Sequence, residues 1–265
     1  MKTQFFTRTG KTVTFGIISL TTIAATLGST LVITPTASAK GFDLFQQVRN
    51  IFSDNNKSAS KNNDNSRQTI VSRGNAEITR RLAALQQLAT LISAATHLSA
   101  SDKTALTSEV NAEISSLTAL KTTLDADTTV TAAQADAKSI ATEYRVYALV
   151  APKIHIIKQA DDIQATDDRL NDLAAKLQTR IAAEKTAGKD TAALSDKLTD
   201  LRAHVAAAQN IAGNIENKVI GLQPSDYNSD HKLLSGYSVQ LKTAQANDQT
   251  AYTDAKSIVE TLKTL

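Results

Sequence analysis

Cysteine and tryptophan are absent from the 265-residue chain, methionine occurs once and proline three times. Without cysteine there is no disulfide, thiol nucleophile, zinc–thiolate site or lipid-modified cysteine anchor. Aromatic residues make up only 4% of the sequence. A core so short of rings is most easily built from Leu, Ile, Val and Ala in close-packed helices. No glycine-rich phosphate loop, serine elbow or dinucleotide fingerprint occurs. His97, His155, His204 and His231 are scattered, and none stands at zinc-helix spacing. No catalytic, cofactor-binding or metal-ligating residue is therefore assigned from the sequence, and no enzyme is expected.

Lys2, Arg8 and Lys11 precede an uncharged run at 13–33, which ends shortly before Ala37-Ser38-Ala39. A positive start, an apolar stretch and a small-x-small site form the three-part pattern of an export signal, with cleavage expected after Ala39. The alternative is an uncleaved membrane anchor. The 21-residue run is long enough to span a bilayer, but its five threonines and two serines make it a poor permanent span. Residues 1–39 hold three basic and no acidic residues. Removing them from the chain's 29 Lys+Arg and 26 Asp+Glu leaves 26 of each. A net charge of zero lacks the basic footprint that displaces counterions from phosphates, so nucleic acid is not an expected partner.

Residues 40–52, KGFDLFQQVRNIF, form a short amphipathic segment that carries Phe42, Phe45 and Phe52. Residues 53–71 begin with the strongly polar SDNNKSASKNNDNSRQ. Such a stretch buries too little apolar surface to offset the entropy of ordering, so a flexible linker is expected.

From 72 to 265 the apolar positions recur at alternating spacings of three and four. Ile78, Leu82, Leu85, Ala89 and Ile92 make one seam; Leu106, Val110, Leu117 and Leu124 make a second. Leu194, Leu198, Leu201, Val205, Ala208, Ala212, Ile215, Val219 and Leu222 make the cleanest. Leu234, Tyr237, Leu241, Ala244, Asp248, Ala251, Ala255, Ile258, Leu262 and Leu265 make a fourth with one polar member. Sustained 3-4 spacing keeps an apolar stripe against a partner helix. Boundary signals at Ser99 to Asp102, Thr131 to Gln134, Gly188 to Asp190 and Gln223 to Asp226 divide the region into helices near 72–97, 101–124, 132–150, 153–186, 190–221 and 229–263. The expected fold is all-α: an elongated antiparallel helical bundle with coiled-coil-like seams, preceded by a flexible N-terminal arm.

One stretch departs from the Ala/Thr/Leu/Asp/Lys background: EYRVYALVAPKIHII at 143–157. It lacks strand alternation, and its uncharged run of seven residues is far too short to cross a membrane. Pro152 cannot donate to an i−4 carbonyl and disfavours α geometry at Ala151. The expectation is a helix ending near Val150, a sharp bend, and a new helix with Pro152 close to its first position. The alternatives are one kinked helix over 132–186 and a local strand. The wider block at 124–157, with its acidic-Thr turn, Tyr-Arg-Val-Tyr run and Pro-Lys, resembles a segment of uncharacterised exported all-helical bacterial proteins. The likeness extends over roughly 73–220. It implies a helical fold and export, and no activity.

Asp125, Asp127, Thr129, Thr131 and Asp136 follow a calcium-loop spacing, but Val130 stands where glycine is needed, so caps and turns are expected there. Asp161, Asp162, Asp167, Asp168 and Asp172 form an acidic run, read as a solvated helix face rather than a carboxylate pair. Asp248, alone in its seam, is expected to fix helix register, or else to mark where the seam opens. The function expected from these features is an exported, non-catalytic scaffold or protein-interaction module at the cell surface or outside the cell, with a protein partner or self-association. The alternative is a small-ligand, metal or lipid-surface binder. It would use Tyr144, Tyr147 and His155 around Pro152, or Phe42, Phe45 and Phe52 in weak contact with a membrane surface.

Overall fold

The computed structural model describes residues 61–265, and among them there is no strand. The export signal, the Phe42, Phe45 and Phe52 segment and the first part of the linker lie outside the described residues. The helices are α1 (Lys61–Ala94), α2 (Ala100–Ala126), α3 (Val130–Thr142), α4 (Ala151–Thr186), α5 (Ala192–Val219), the short α6 (Pro224–Ser229) and α7 (Tyr237–Leu262). A single π-turn, Val146–Val150, leads into α4.

Helix α4, with 36 residues, is about 54 Å long at 1.5 Å per residue. It packs side by side with α5 and α7, and the three form a long bundle. Leu170, Leu173, Leu177 and Ile181 of α4 meet Leu194, Leu198, Leu201 and Val205 of α5 and Ala251, Ala255, Ile258 and Leu262 of α7 in one core. The other half of each helix joins a second core, in which Ile154, Ile157 and Ile163 meet Ala208, Ala212, Ile215 and Val219, with Leu241 and Ala244. Early α4 against late α5 makes that pair antiparallel, as does late α5 against early α7. Helices α1, α2 and α3 pack only around this second core, through Ile78, Leu85, Ile92, Leu106, Leu117, Leu124 and Ile140. The expected seams are thus largely buried; Leu82, Ala89, Leu222, Leu234 and Tyr237 are half-buried, and Leu265 is exposed.

Three boundaries differ from expectation. The linker was expected to run to residue 71, but residues 61–71 are helical and Ile70 is buried in the second core. This polar turn is held by a tertiary partner: Arg67 Nη1 donates to the Asp127 carbonyl at 2.9 Å. Helix α3 starts two residues early, because Thr129 and not Thr131 caps it, accepting the Ala132 N–H at 3.1 Å. The last long helix begins at Tyr237, after the separate helix α6 and a turn closed by Gly236 at φ 88°.

The bend near Pro152 is also displaced. Helix α3 ends at Thr142, and the chain reverses at Arg145, with φ 43° and ψ 31°. The π-turn follows, with the Val150 N–H on the Arg145 carbonyl at 3.2 Å and the Ala151 N–H on that of Val146. Pro152, with no N–H, sits where the ladder returns from five-residue to four-residue spacing, so its missing donor falls at a natural change of register. The proline marks the start of α4 as expected, while the reversal itself lies seven residues earlier. A non-glycine residue in the left-handed region costs about 1 kcal/mol. Two contacts hold Arg145 there: Nε donates to Asn228 Oδ1 at 2.7 Å, and the guanidinium lies 5.4 Å from the Tyr227 ring centre.

Gly74 shows how closely α1 approaches its neighbours. A Cβ at this position would stand 2.6 Å from Leu124 Cδ2 and 3.5 Å from Ile140 Cδ1. Gly74→Leu is expected to lower unfolding stability by about 1–3 kcal/mol through overpacking, measured by urea denaturation. An unchanged midpoint would mean that this approach is looser than the structure has it.

Candidate functional site

Among the described residues, the buried charged side chains fall into three groups, each bringing helices together. The first lies beside the π-turn. Lys153 is 0% exposed; its Nζ is 2.6 Å from Glu109 Oε1 of α2 and donates to the Leu222 carbonyl, just beyond α5, at 2.8 Å. Glu113, one turn after Glu109, is pushed up to about 7 by burial first and by Glu109 second, against the pull of Lys153. Close by, the buried Glu77 and Arg81 of α1 pair, and the Arg81 guanidinium lies 5.3 Å from the Tyr147 ring centre.

The second group is the pair Asp167 of α4 and Asp248 of α7, 0% and 1% exposed. Both Asp167 carboxyl oxygens and Asp248 Oδ1 are shut from solvent with no hydrogen-bond partner, an arrangement that favours a proton held between two neighbouring buried acids. Burial is the largest cause pushing Asp167 up to about 9, followed by Asp248 and Asp168; burial pushes Asp248 up to about 6. The pair lies at the junction of the two cores: Ile163 and Ala244 belong to one, Leu170 and Ala251 to the other. Beside it His204 Nδ1 and Asn247 Oδ1 stand 3.1 Å apart. Asp248 therefore marks a polar layer across the bundle.

The third group joins three helices. Asp102 at the start of α2, Asp161 in α4 and Glu216 late in α5 bring one carboxylate oxygen each within 4.8 Å of one another. Ser99 Oγ caps α2, accepting the Asp102 N–H at 3.0 Å and donating to Asp102 Oδ2 at 2.7 Å. Gln164 donates to Glu216. Asp161 is 5% exposed, and its Oδ2 is shut from solvent with no hydrogen-bond donor. Burial, then Glu216 and Asp102, pushes its carboxyl up to about 7; Glu216 is also raised, chiefly by burial. The neighbouring Asp162 is satisfied separately, by Lys158 at 2.6 Å and by His97 at 3.0 Å.

The solvated-face reading of the acidic run thus fails at Asp161 and Asp167 and holds at Asp168 and Asp172, which are exposed. The pattern along α4 is the same throughout; what differs is the neighbour, since Asp161 meets Asp102 of α2 and Glu216 of α5, and Asp167 meets Asp248 of α7. The calcium-like spacing resolves into turn chemistry, with Thr129 capping α3 and Asp125 paired to Lys121 at 2.9 Å. Among the sequence-selected residues, Tyr144 and Tyr147 are half-buried and used by the bundle: Tyr144 donates to the Ser116 carbonyl at 3.2 Å, and Tyr147 lies under Arg81. His155 is half-buried and held below its usual range, by burial first and then by Lys158. Phe42, Phe45 and Phe52 lie outside the described residues. Among those described, no helix is long and apolar enough to cross a membrane. No protein-family model, curated protein or solved structure matches the chain.

Proposed function

We propose that the chain is an exported, non-catalytic helical scaffold that works by presenting long helix faces to a protein partner or to further copies of itself. The observation that carries this reading is where the chemically capable side chains are used. Lys153, Arg81, Asp167, Asp248, Tyr144 and Tyr147 serve contacts between elements of the bundle, while polar residues such as Lys176, Asp196, Asp200 and Lys242 cover the outside. The leader pattern at 1–39 and the resemblance of 124–157 to exported bacterial helical proteins support the location. The equal mature counts of acidic and basic residues argue for a protein partner over nucleic acid.

Expressed in a bacterium that exports it, the chain is expected outside the cytoplasm with Lys40 as its N-terminus, read by mass spectrometry. Cross-linking on intact cells is expected to give one discrete adduct. Uncleaved chain confined to the cytoplasm overturns the reading. Co-sedimentation with anionic liposomes, with and without residues 40–52, tests the arm; equal binding removes its proposed membrane contact.

A further inference from the structure

We propose that Asp102, Asp161 and Glu216 bind a hard divalent cation, calcium in the first place, which ties α2 to the α4–α5 pair. The three carboxylates come from sequence positions far apart and meet within 4.8 Å. Exposed acids brought this close can relieve their repulsion by moving into water. Here two of the three cannot move: Asp102 and Asp161 are buried, and Ser99 holds Asp102 at the helix start. The second observation is Asp161 itself. Its side chain is 95% buried, its Oδ2 has no hydrogen-bond donor, and its carboxylate faces the other two. A buried carboxylate oxygen left unpaired is costly, and a cation coordinated by all three groups removes that cost.

Among the described residues, Lys158 is the protein cation that draws the Asp161 carboxyl down, against burial and the neighbouring acids. Among the described residues none of the three carboxylates forms an ion pair with Lys or Arg. Lys158, on the same helix as Asp161, is engaged by Asp162, and His97 also lies on Asp162. Gln164 fixes Glu216 through its amide and leaves the carboxylate charge in place. The donor set is all oxygen, with no imidazole and no thiolate, which selects hard cations over zinc or copper. Three carboxylates offer up to six oxygens if bidentate, which suits calcium. Magnesium retains several waters and needs a near-ideal octahedron, for which a site with two buried ligands is less suited. A carboxylate bridge among α2, α4 and α5 would fasten the α1–α2 pair to the long bundle, so the cation would act on the cohesion of the fold.

The test is isothermal titration of calcium into the chelator-treated full chain at about pH 8, where protons compete least with metal for the carboxylates. One equivalent is expected to bind, and the thermal midpoint is expected to rise with calcium concentration. Glu216→Gln and Asp161→Asn are each expected to weaken binding by about tenfold or more through loss of ligand charge. Glu216 is only half-buried, so its variant keeps the test open if Asp161→Asn fails to fold. Absence of heat and of any midpoint shift in millimolar calcium overturns the proposal and assigns shared protons to the cluster. Unchanged affinity in folded Glu216→Gln also overturns it, and magnesium binding as tightly as calcium overturns the choice of cation.

Discussion

Raising the pH of the chelator-treated chain from 5 to 8 is expected to lower its stability by about 1.4 kcal/mol per pH unit for each proton held by the folded state alone. Asp167 and Asp248 are the main source. In the unfolded chain both carboxyls ionise near pH 4. In the fold Asp167 is pushed up to about 9 and Asp248 up to about 6. Acids whose folded values are raised contribute stability that is complete at low pH and lost as pH rises through the folded value. The decline therefore starts near pH 4 and continues towards pH 9, with Asp161 and Glu113, each pushed up to about 7, adding to its lower half. One proton retained across the three units amounts to about 4 kcal/mol, or roughly 8–16 °C of thermal midpoint for a domain of this size. The charged and titratable groups around the dyad are Asp168 on α4, which adds repulsion, and His204 on α5, engaged with Asn247 of α7. Asp167→Asn should flatten the slope and raise the midpoint at pH 8. A midpoint that is flat or climbs between pH 5 and pH 8 would show that the dyad holds no proton.

The contrast between seams and polar layers explains what could be read in advance. Leu198, Leu201, Val205 and Ala208 announce their burial because apolar residues at 3-4 spacing have only one favourable place, against another helix. Asp248 was visible for the same reason, as the exception inside a regular stripe. Asp161 and Asp167 had no such frame: acidic residues on a helix are ordinarily solvated, and their burial is decided by α2 and α7, which are remote in sequence. The same holds for Lys153, which follows a proline and reads as the exposed first turn of a helix until α2 and the end of α5 close over it. Residues 61–71 failed in the opposite direction, since composition alone argues for disorder and a few tertiary contacts, Ile70 and Arg67 among them, are enough to continue a helix. Arg145 is harder still, because nothing local marks a left-handed arginine; its partners Asn228 and Tyr227 arrive more than eighty residues later. The tricarboxylate cluster draws on α2, α4 and α5 and has no linear motif at all.

Lys153→Ala is expected to destabilise the chain by about 3–5 kcal/mol, because removing one partner of a buried ion pair strands the other and leaves a cavity. The ammonium is wholly buried and ties three places together: Glu109 of α2, the Leu222 carbonyl beyond α5, and α4 itself. Its loss leaves Glu109 facing Glu113 without the positive charge that now lies between α2 and α4, so Glu113 should rise further above its usual range. That gives the variant a signature beyond a lower midpoint: its stability at pH 8 should suffer more than its stability at pH 5, where Glu113 can take up a proton. Lys153→Met with Glu109→Gln keeps most of the volume and removes both charges. It should recover a large part of the loss, because the cost lies in the stranded charge and the emptied space more than in the missing attraction. Urea denaturation of Lys153→Met, Glu109→Gln and the double, at both pH values, gives the coupling between the residues. A Lys153→Ala cost below about 1 kcal/mol, with no pH dependence of its own, would put Lys153 among ordinary surface pairs and contradict its position between the helices.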